Sequence, residues 1–404
     1  MQLGIIVAAL KKHRLATFLI AIEIALACAV LSNAIFIFME KSRALKLSSG
    51  IEESSLGIVQ LSGFSAENAN DINARVIKAI RAIPGVESVG VISAVPFGDP
   101  GVRAGVKTDE ALERSGGILD FYLGDAAALN SLGLNLVSGR MPAPAEYAPI
   151  AQYVPSNAPV LVTQQLADRY WPGQTPIGQS IWAMDTRLTV TGVVEHLVVS
   201  RPGGGEAQGD DWSLIVPAAG GPQLAGRYVV RAKPQDLPRI FGEVGRAVSA
   251  VAPDVVFDHA ASRPLSELRA DYFRGAKVMT GVLAAVIIAL LGATALGILG
   301  LASYWVEQRR KQIGIRRALG ARRSDFLRYF QIENFLIVSI GIAAGLILSY
   351  AMNLGLMRFY ELPRLPGAYL PISAVALWIL GQAAVLVPAL KASAITPVQG
   401  IRSL

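Results

Sequence analysis

The 404 residues are 52% hydrophobic and 17% charged. That is too apolar for an ordinary soluble protein, and the polar middle is too long for a protein made only of membrane spans. The net charge is +7, from 37 Lys/Arg against 30 Asp/Glu. Its densest basic cluster lies between two apolar segments, so membrane topology accounts for the charge and nucleic-acid binding is not supported. One cysteine, Cys28, sits inside an apolar segment, which excludes an intrachain disulfide and any cysteine-based metal site.

In chain order, Lys11, Lys12, His13 and Arg14 precede a first apolar run over residues 15–39. The run is longer than the core of a signal peptide and is followed by Glu40-Lys41 with no small-residue cleavage site, so it is predicted as a retained span rather than a cleaved leader. Further spans are predicted over 278–306, 334–357 and 365–390, since about 20 apolar residues suffice to cross a bilayer. The stretch Val306–Arg328 carries eight Lys/Arg against two acids. The positive-inside rule places that segment, within 307–333, in the cytoplasm. Residues 1–14 and 391–404 then fall on the same side, with 40–277 and the short loop 358–364 outside. The fold class is an α+β membrane protein: four transmembrane helices with a large outer domain between the first and second.

The outer domain reads as mixed strand and helix. Ser55–Leu61 is a predicted strand. Asn68–Ile83 is a helix with Ile72, Val76, Ile80 and Ile83 on one face, stopped by Pro84-Gly85, and Val86–Val95 is a second strand. The same order recurs in Arg227–Ala232, in Pro234–Val251 with apolar residues at helical spacing, and in Val255–Asp258. Between these β-α-β units, residues 98–222 form an insertion rich in Gly and Pro that reads mainly as hairpins. Its clearest strands are Val160–Thr163 and Arg187–Val194, and Arg201–Asp211 reads as a mobile loop. Ser262–Lys277 is predicted to extend the second span outward as a helical stalk.

Several chemistries find no support. The chain contains no Gly-Lys pair, hence no P-loop to hold ATP phosphates. It has neither HExxH nor GxSxG, and His13, His196 and His259 lack metal-ligand spacing. The chain is therefore expected not to be an enzyme. Several features stand out instead. Glu23 lies within the first span, where an acid is costly and often functional; it faces a neighbouring helix, a proton-accessible cavity or a partner, or pairs near the interface with Arg14. Gly341 and Gly345 form a GxxxG that allows close helix contact, either within one subunit or at a dimer seam. Ile313, Ile315, Ala318 and Leu319 lie among Arg316, Arg317, Arg322 and Arg323, a pattern that either sets topology alone or presents an apolar ridge with a charged rim to a cytoplasmic partner. Glu333, at the inner edge of the third span, is expected to anchor that segment. Trp171-Pro172-Gly173 reads as a turn with a packed aromatic, or as a contact for another protein.

EQRRKQIGIRRALGA, from Glu307, resembles the cytoplasmic segment of the MacB/FtsX-like permeases, the membrane subunits of type VII ABC systems. SDFLRYFQIENFLIVSIGIAAGLILSY continues the resemblance into the third span, and ALKASAITPVQGIRSL is similar to the family's closing tail. LGLNLVSGRMP, YWPGQTPIGQSIW and LTVTGVVEHL resemble its outer core domain. The resemblance implies four spans and a periplasmic domain with a βαβ porter-like part and an inserted β-rich part. It also implies a place in a bacterial inner membrane and a dimer, homo- or heteromeric. ATP and magnesium would be handled by a separate ABC ATPase, leaving no cofactor in this chain. Residues Ile313, Gly314, Ile315, Arg316, Arg317, Ala318, Leu319, Gly320 and Ala321 would couple that ATPase to the outer domain. The motion would drive efflux of peptides, antibiotics or similar amphiphiles with a membrane-fusion adaptor and an outer-membrane channel. In other members it regulates a periplasmic hydrolase or sensor, or releases lipoproteins.

Overall fold

The computed structural model describes residues 14–111, 113–151, 153–183, 186–203, 209–309, 313, 315, 322–360 and 364–394. They form two compact units, a membrane unit (residues 14–45 together with those from 276 onward) and a core domain, residues 46–275.

The chain opens with α1 (Arg14–Leu45). The core domain then begins with a 3-10 turn at Glu53–Ser55 and continues through β1 (Leu56–Ser62), α2 (Ala69–Arg81) and β2 (Val86–Val91). Next come β3 (Val102–Lys107), β4 (Ser115–Gly124), α3 (Ala126–Ser131), β5 (Leu136–Gly139), β6 (Pro159–Thr163), α4 (Gln164–Tyr170), β7 (Ser180–Ala183), β8 (Thr186–Val194) and β9 (Ser213–Pro217). It closes with β10 (Arg227–Ala232), α5 (Leu237–Val251), β11 (Val256–Phe257), β12 (Arg263–Pro264) and α6 (Leu265–Tyr272). Three long helices follow, α7 (Arg274–Gln308), α8 (Arg323–Tyr360) and α9 (Tyr369–Ala394). With α1 they are, among the described residues, the four helices long and apolar enough to cross a membrane.

The core domain has two sheets. In the first, the spatial order is β11-β1-β10-β2, with β12 also pairing β1, and every pairing is antiparallel. β10 therefore lies between β1 and β2. The two β-α-β units read from the sequence are interleaved, which is the split βαβ of ferredoxin-like sheets. α2 and α5 bury the apolar stripes that define them: Ile72, Val76 and Ile80 on one, Leu237, Ile240, Val244 and Val248 on the other. Gly57 is required on β1 because a Cβ there would lie 2.3 Å from the Phe241 ring of α5.

The second sheet runs β5-β8-β6-β9-β4-β3-β7, and β7 also pairs β8. That last pairing closes six strands into a barrel-like ring, with β5 attached to the far half of β8. The hairpin expectation needs correction, because β4–β9 and β6–β8 are parallel pairs joined by long crossovers. A bulge at Thr191 of β8, opposite Val160 and Leu161 of β6, lets β8 bend so that its two halves meet different neighbours. The stalk expectation is also corrected. The Ser262–Lys277 stretch forms β12 and α6, breaks at Phe273 and restarts as α7. Leu265 and Leu268 of α6 are buried against the first sheet, so α6 belongs to the core domain.

Candidate functional site

The basic segment leaves α7 through a helical turn, with Arg309 N–H donating to Trp305 O and Ile313 N–H to Arg309 O at 2.9 Å. Arg309 reaches back to α8, its Nη1 lying 3.2 and 3.1 Å from the two Glu333 carboxylate oxygens. The side chains are 13% and 3% exposed, so this is a buried ion pair. Removing one partner of such a pair costs about 3–5 kcal/mol, since a charge is left behind in a poorly solvated place. Beside it Ile313 is buried with Val306 of α7, Phe326 and Phe330 of α8 and Ala389 of α9. Ile315 is 46% exposed. At the other end of the segment, Asp325 accepts from the Arg322 backbone N–H at 3.0 Å, an acidic cap on the first turn of α8. Gly314, Arg316, Arg317, Ala318, Leu319, Gly320 and Ala321 lie outside the described residues. The root of the segment is thus tied to three helices by one ion pair and one apolar cluster.

α1 and α8 pack backbone to backbone. A Cβ at Gly341 would lie 2.8 Å from Ile24 Cβ and 2.9 Å from the Ala21 carbonyl oxygen. At Gly345 it would lie 2.5 Å from Cys28 Cβ and 2.8 Å from Ala25 O. Both glycines are therefore turned to the first span of the same chain. Further along this seam Asn33 Nδ2 donates to Ala29 O, Ser349 O and Ser349 Oγ at 3.0–3.2 Å, and its Oδ1 accepts from Asn353. Ser32 and Ser373 hydroxyls meet at 2.6 Å, bringing in α9. Glu23 points at α7: a Cβ on Gly297 would lie 2.1 Å from its Oε1, so the missing side chain makes the room. Arg14 is nine residues away on the same helix, about 13 Å along the axis and too far for the direct pair the sequence allows.

In the core domain, the residues where the chain enters and leaves are tied together. Arg269 of α6 donates from Nη1 to Glu53 Oε1 at 2.7 Å and from Nη2 to Leu47 O at 2.5 Å. Its guanidinium also covers the rings of Phe97 and Phe273 at 5.0 and 5.3 Å. A second clasp holds Ser48, whose carbonyl oxygen is 2.6 Å from His196 Nε2, while His196 Nδ1 lies 2.7 Å from Asp211 Oδ1. Both ring nitrogens face acceptors, which only the imidazolium satisfies. The hydrogen bond to Asp211 raises the His196 pKa above its ordinary value, against burial, which lowers it; the Ser48 carbonyl and the charges of Asp211 and Glu195 add to the rise. Trp171 is buried with its ring edge-on to Tyr170 at 5.6 Å, and Gly173 turns at φ +72. No group of His, Cys, Asp and Glu among the described residues could hold a metal ion.

Glu333 was visible in the sequence as an inner-edge acid, but its partner was not. Arg309 is 24 residues away and one of eight basic residues in its stretch, so no local spacing marks it. The ties from Arg269 to Glu53 and from His196 to Ser48 escaped for the same reason, since each joins residues over a hundred positions apart.

A model of the MacB-like periplasmic core domain matches residues 15–245, more than half of the chain, and a model of the FtsX-like permease C-terminal region matches residues 282–397. The chain belongs to the MacB/FtsX-like permease family. It is a multi-pass membrane protein whose MacB-like core domain lies between the first and second spans. Among curated relatives, it is 34% identical over 131 residues to the pyoverdine export ATP-binding/permease protein PvdT of Pseudomonas syringae pv. syringae, covering 31% of this chain and 19% of that one. It is 23% identical over 254 residues to the macrolide export ATP-binding/permease protein MacB of Nitrobacter winogradskyi, covering 60% and 38%. The match thus spans about a fifth to two fifths of those relatives' own length. The periplasmic region of MacB from Actinobacillus actinomycetemcomitans overlays 52% of this chain and 90% of that one at 13% identity, with a TM-score of 0.34, too low to define the fold by itself.

Proposed function

We propose that this MacB-like chain is the permease subunit of an ABC system that converts ATP hydrolysis on the cytoplasmic side into motion of its core domain outside the membrane. The load it exports is a peptide, an antibiotic or a similar amphiphile. The observation that carries the reading is the root of the basic segment. A load applied there meets Ile313 and the Arg309–Glu333 pair, and so is passed to α7, α8 and α9 instead of being lost in a loose loop. The Arg269 clamp supports it from the core-domain side, because tied entry and exit residues move as one piece.

The partners that go with this reading are a separate ABC ATPase carrying ATP and magnesium, a second permease in the same bacterial inner membrane, a periplasmic adaptor and an outer-membrane channel. The names of the two relatives, which pair ATP-binding with permease and with export, support the ATPase and the direction. The test is the double substitution Arg316→Glu and Leu319→Asp. The variant inserts into the membrane at wild-type level and no longer co-purifies an ABC ATPase; an unchanged complex overturns the coupling assignment. Crosslinking in intact membranes then checks the use of the motion. An adaptor and channel on the core domain support export, whereas a peptidoglycan hydrolase, a sensor kinase or a lipoprotein there replaces export with the family's other roles.

A further inference from the structure

A cleft of about 360 Å³ opens in the core domain between the residues following β2 on one side and those from β11 to α6 on the other. That volume suits a small organic ligand. Ile58, Val95 and Leu268 give it an apolar lining, and the charged lining comes from three arginines, Arg201, Arg227 and Arg263, and three aspartates, Asp99, Asp258 and Asp271. The formal charges cancel, but the hydrogen-bonding capacities do not.

Each carboxylate already accepts at least one hydrogen bond. Asp271 accepts from Arg263 and Arg274. Asp258 Oδ1 accepts the backbone N–H groups of Ala260 and Ala261 at 2.9 and 3.0 Å, folding its own turn. Asp99 Oδ2 accepts from Gln60 Nε2 at 3.0 Å. The guanidiniums retain donors. Arg201 and Arg227 approach Asp99 only to 3.7 and 3.8 Å, well beyond the 2.7–2.9 Å or so of a charge-assisted hydrogen bond. Arg227 spends Nη1 on the Ser93 carbonyl at 2.5 Å. Arg263 spends Nη1 on Asp271, while its Nε is buried with no hydrogen-bond partner. An unsatisfied buried donor is costly and calls for an acceptor that the protein does not supply. Phe97 adds an independent mark. It borders the cleft with φ +63, a left-handed conformation that a bulky residue adopts only when its surroundings force it, and such strain clusters at ligand sites.

We propose that this cleft is a binding site for a small amphiphile carrying a single oxyanion, a carboxylate or a phosphate. The oxyanion takes the unspent donors of Arg201, Arg227 and Arg263, and the organic body lies along Ile58, Val95 and Leu268. The site belongs to the core domain alone and does not depend on how the ATPase is coupled.

The test uses the full chain in lipid nanodiscs and N-benzoylglycine as probe, with its neutral amide as control, read by titration calorimetry. The carboxylate binds saturably in the sub-millimolar range, and the amide binds at least about tenfold more weakly because it cannot satisfy the guanidiniums. Arg201→Gln, at a half-exposed side chain, keeps the wild-type Tm and weakens the probe about tenfold; Arg263→Gln weakens the probe by a similar factor. Displacement of the probe by inorganic phosphate assigns the subsite to phosphate chemistry, and lack of displacement assigns it to organic carboxylates; either supports the oxyanion site. Equal binding of acid and amide, no saturable binding at millimolar probe, or wild-type affinity in both variants overturns the proposal. A failure here leaves the coupling reading standing, since ATPase co-purification is measured separately.

Discussion

α1 and α7 are both apolar enough to cross a bilayer, and α7 is the more apolar of the two, yet their surroundings differ sharply. In its most apolar stretch, 61% of α1 is buried, against 11% for α7. α1 is the hub of the membrane unit, joined to α8 by glycine-mediated contact and to α8 and α9 by amide and hydroxyl bonds. α7 buries one narrow stripe, Thr294, Ile298, Ala302, Trp305 and Val306, all in its second half. Val278, Val282, Val286 and Ile288 in its first half are exposed. Hydropathy therefore marks which segments leave water, but it does not rank which helices hold each other. In lipid the apolar side chains are content either way, and close backbone approach and hydrogen bonds decide association. A helix held at one end is also the kind of element that a push at its root can move.

This contrast can be broken first at the tie that holds α7. Glu333→Ala strands Arg309 in a buried site and is expected to cost about 3–5 kcal/mol, seen as a large fall in Tm of the detergent-solubilised chain. A loss no greater than that of an average surface substitution would mean that the pair does not hold α7. Next comes the seam itself. Gly345→Leu forces backbone apart between α1 and α8 and is expected to cost about 1–3 kcal/mol or more, whereas the same change at Gly292 on α7, where nothing lies within 4 Å, stays within about 0.5 kcal/mol. Equal effects at the two positions would erase the distinction between hub and peripheral helix. Asn33→Ala sharpens it further. A single hydrogen-bonding residue between spans is worth about 0.6 kcal/mol on average, so the expected drop is modest but measurable by denaturant titration.

The smallest effect lies in the core domain, where water allows titration to matter. The His196 pKa is raised in the folded chain, so its contribution is fully present below the unfolded value near 6.5 and is lost as pH rises through the folded one. The Tm of the wild type is expected to decline on going from acid toward neutral and mildly alkaline pH relative to His196→Gln, which lacks that dependence. Parallel curves for the two proteins would show that the Ser48–His196–Asp211 clasp does not titrate with folding.

Much of the architecture was legible from local pattern. The strand Arg227–Ala232 and the helices over Ile72–Ile80 and Leu237–Val251 follow from periodicity, and the break at Pro84-Gly85 from a glycine that sits at φ +94. What escaped was pairing. Nothing near β1 says that β10, some 170 residues later, will lie between it and β2. Nothing near Val160 says that β6 will run parallel to β8. The stalk reading failed at Phe273 because Leu265 and Leu268 gain more by burial in the core domain than as part of a long helix.

Of the candidate residues, those marked by cost stood out: Glu23 and Glu333 because acids at or near lipid are rare, Gly341 and Gly345 because small residues at that spacing allow contact. Where each of them turned was a different matter. Gly341 and Gly345 face α1, Glu23 faces Gly297, and Glu333 meets Arg309, each through a partner that only the folded chain brings near. By itself the sequence determined which segments are long and apolar enough to cross a membrane and which short stretches are helix or strand, because apolar length and side-chain period are local properties. The tertiary structure alone decided the closed barrel, the interleaved sheet, the tied root of the basic segment and the arginine-lined cleft, because each is made by groups far apart along the chain whose meeting is set by packing and not by spacing.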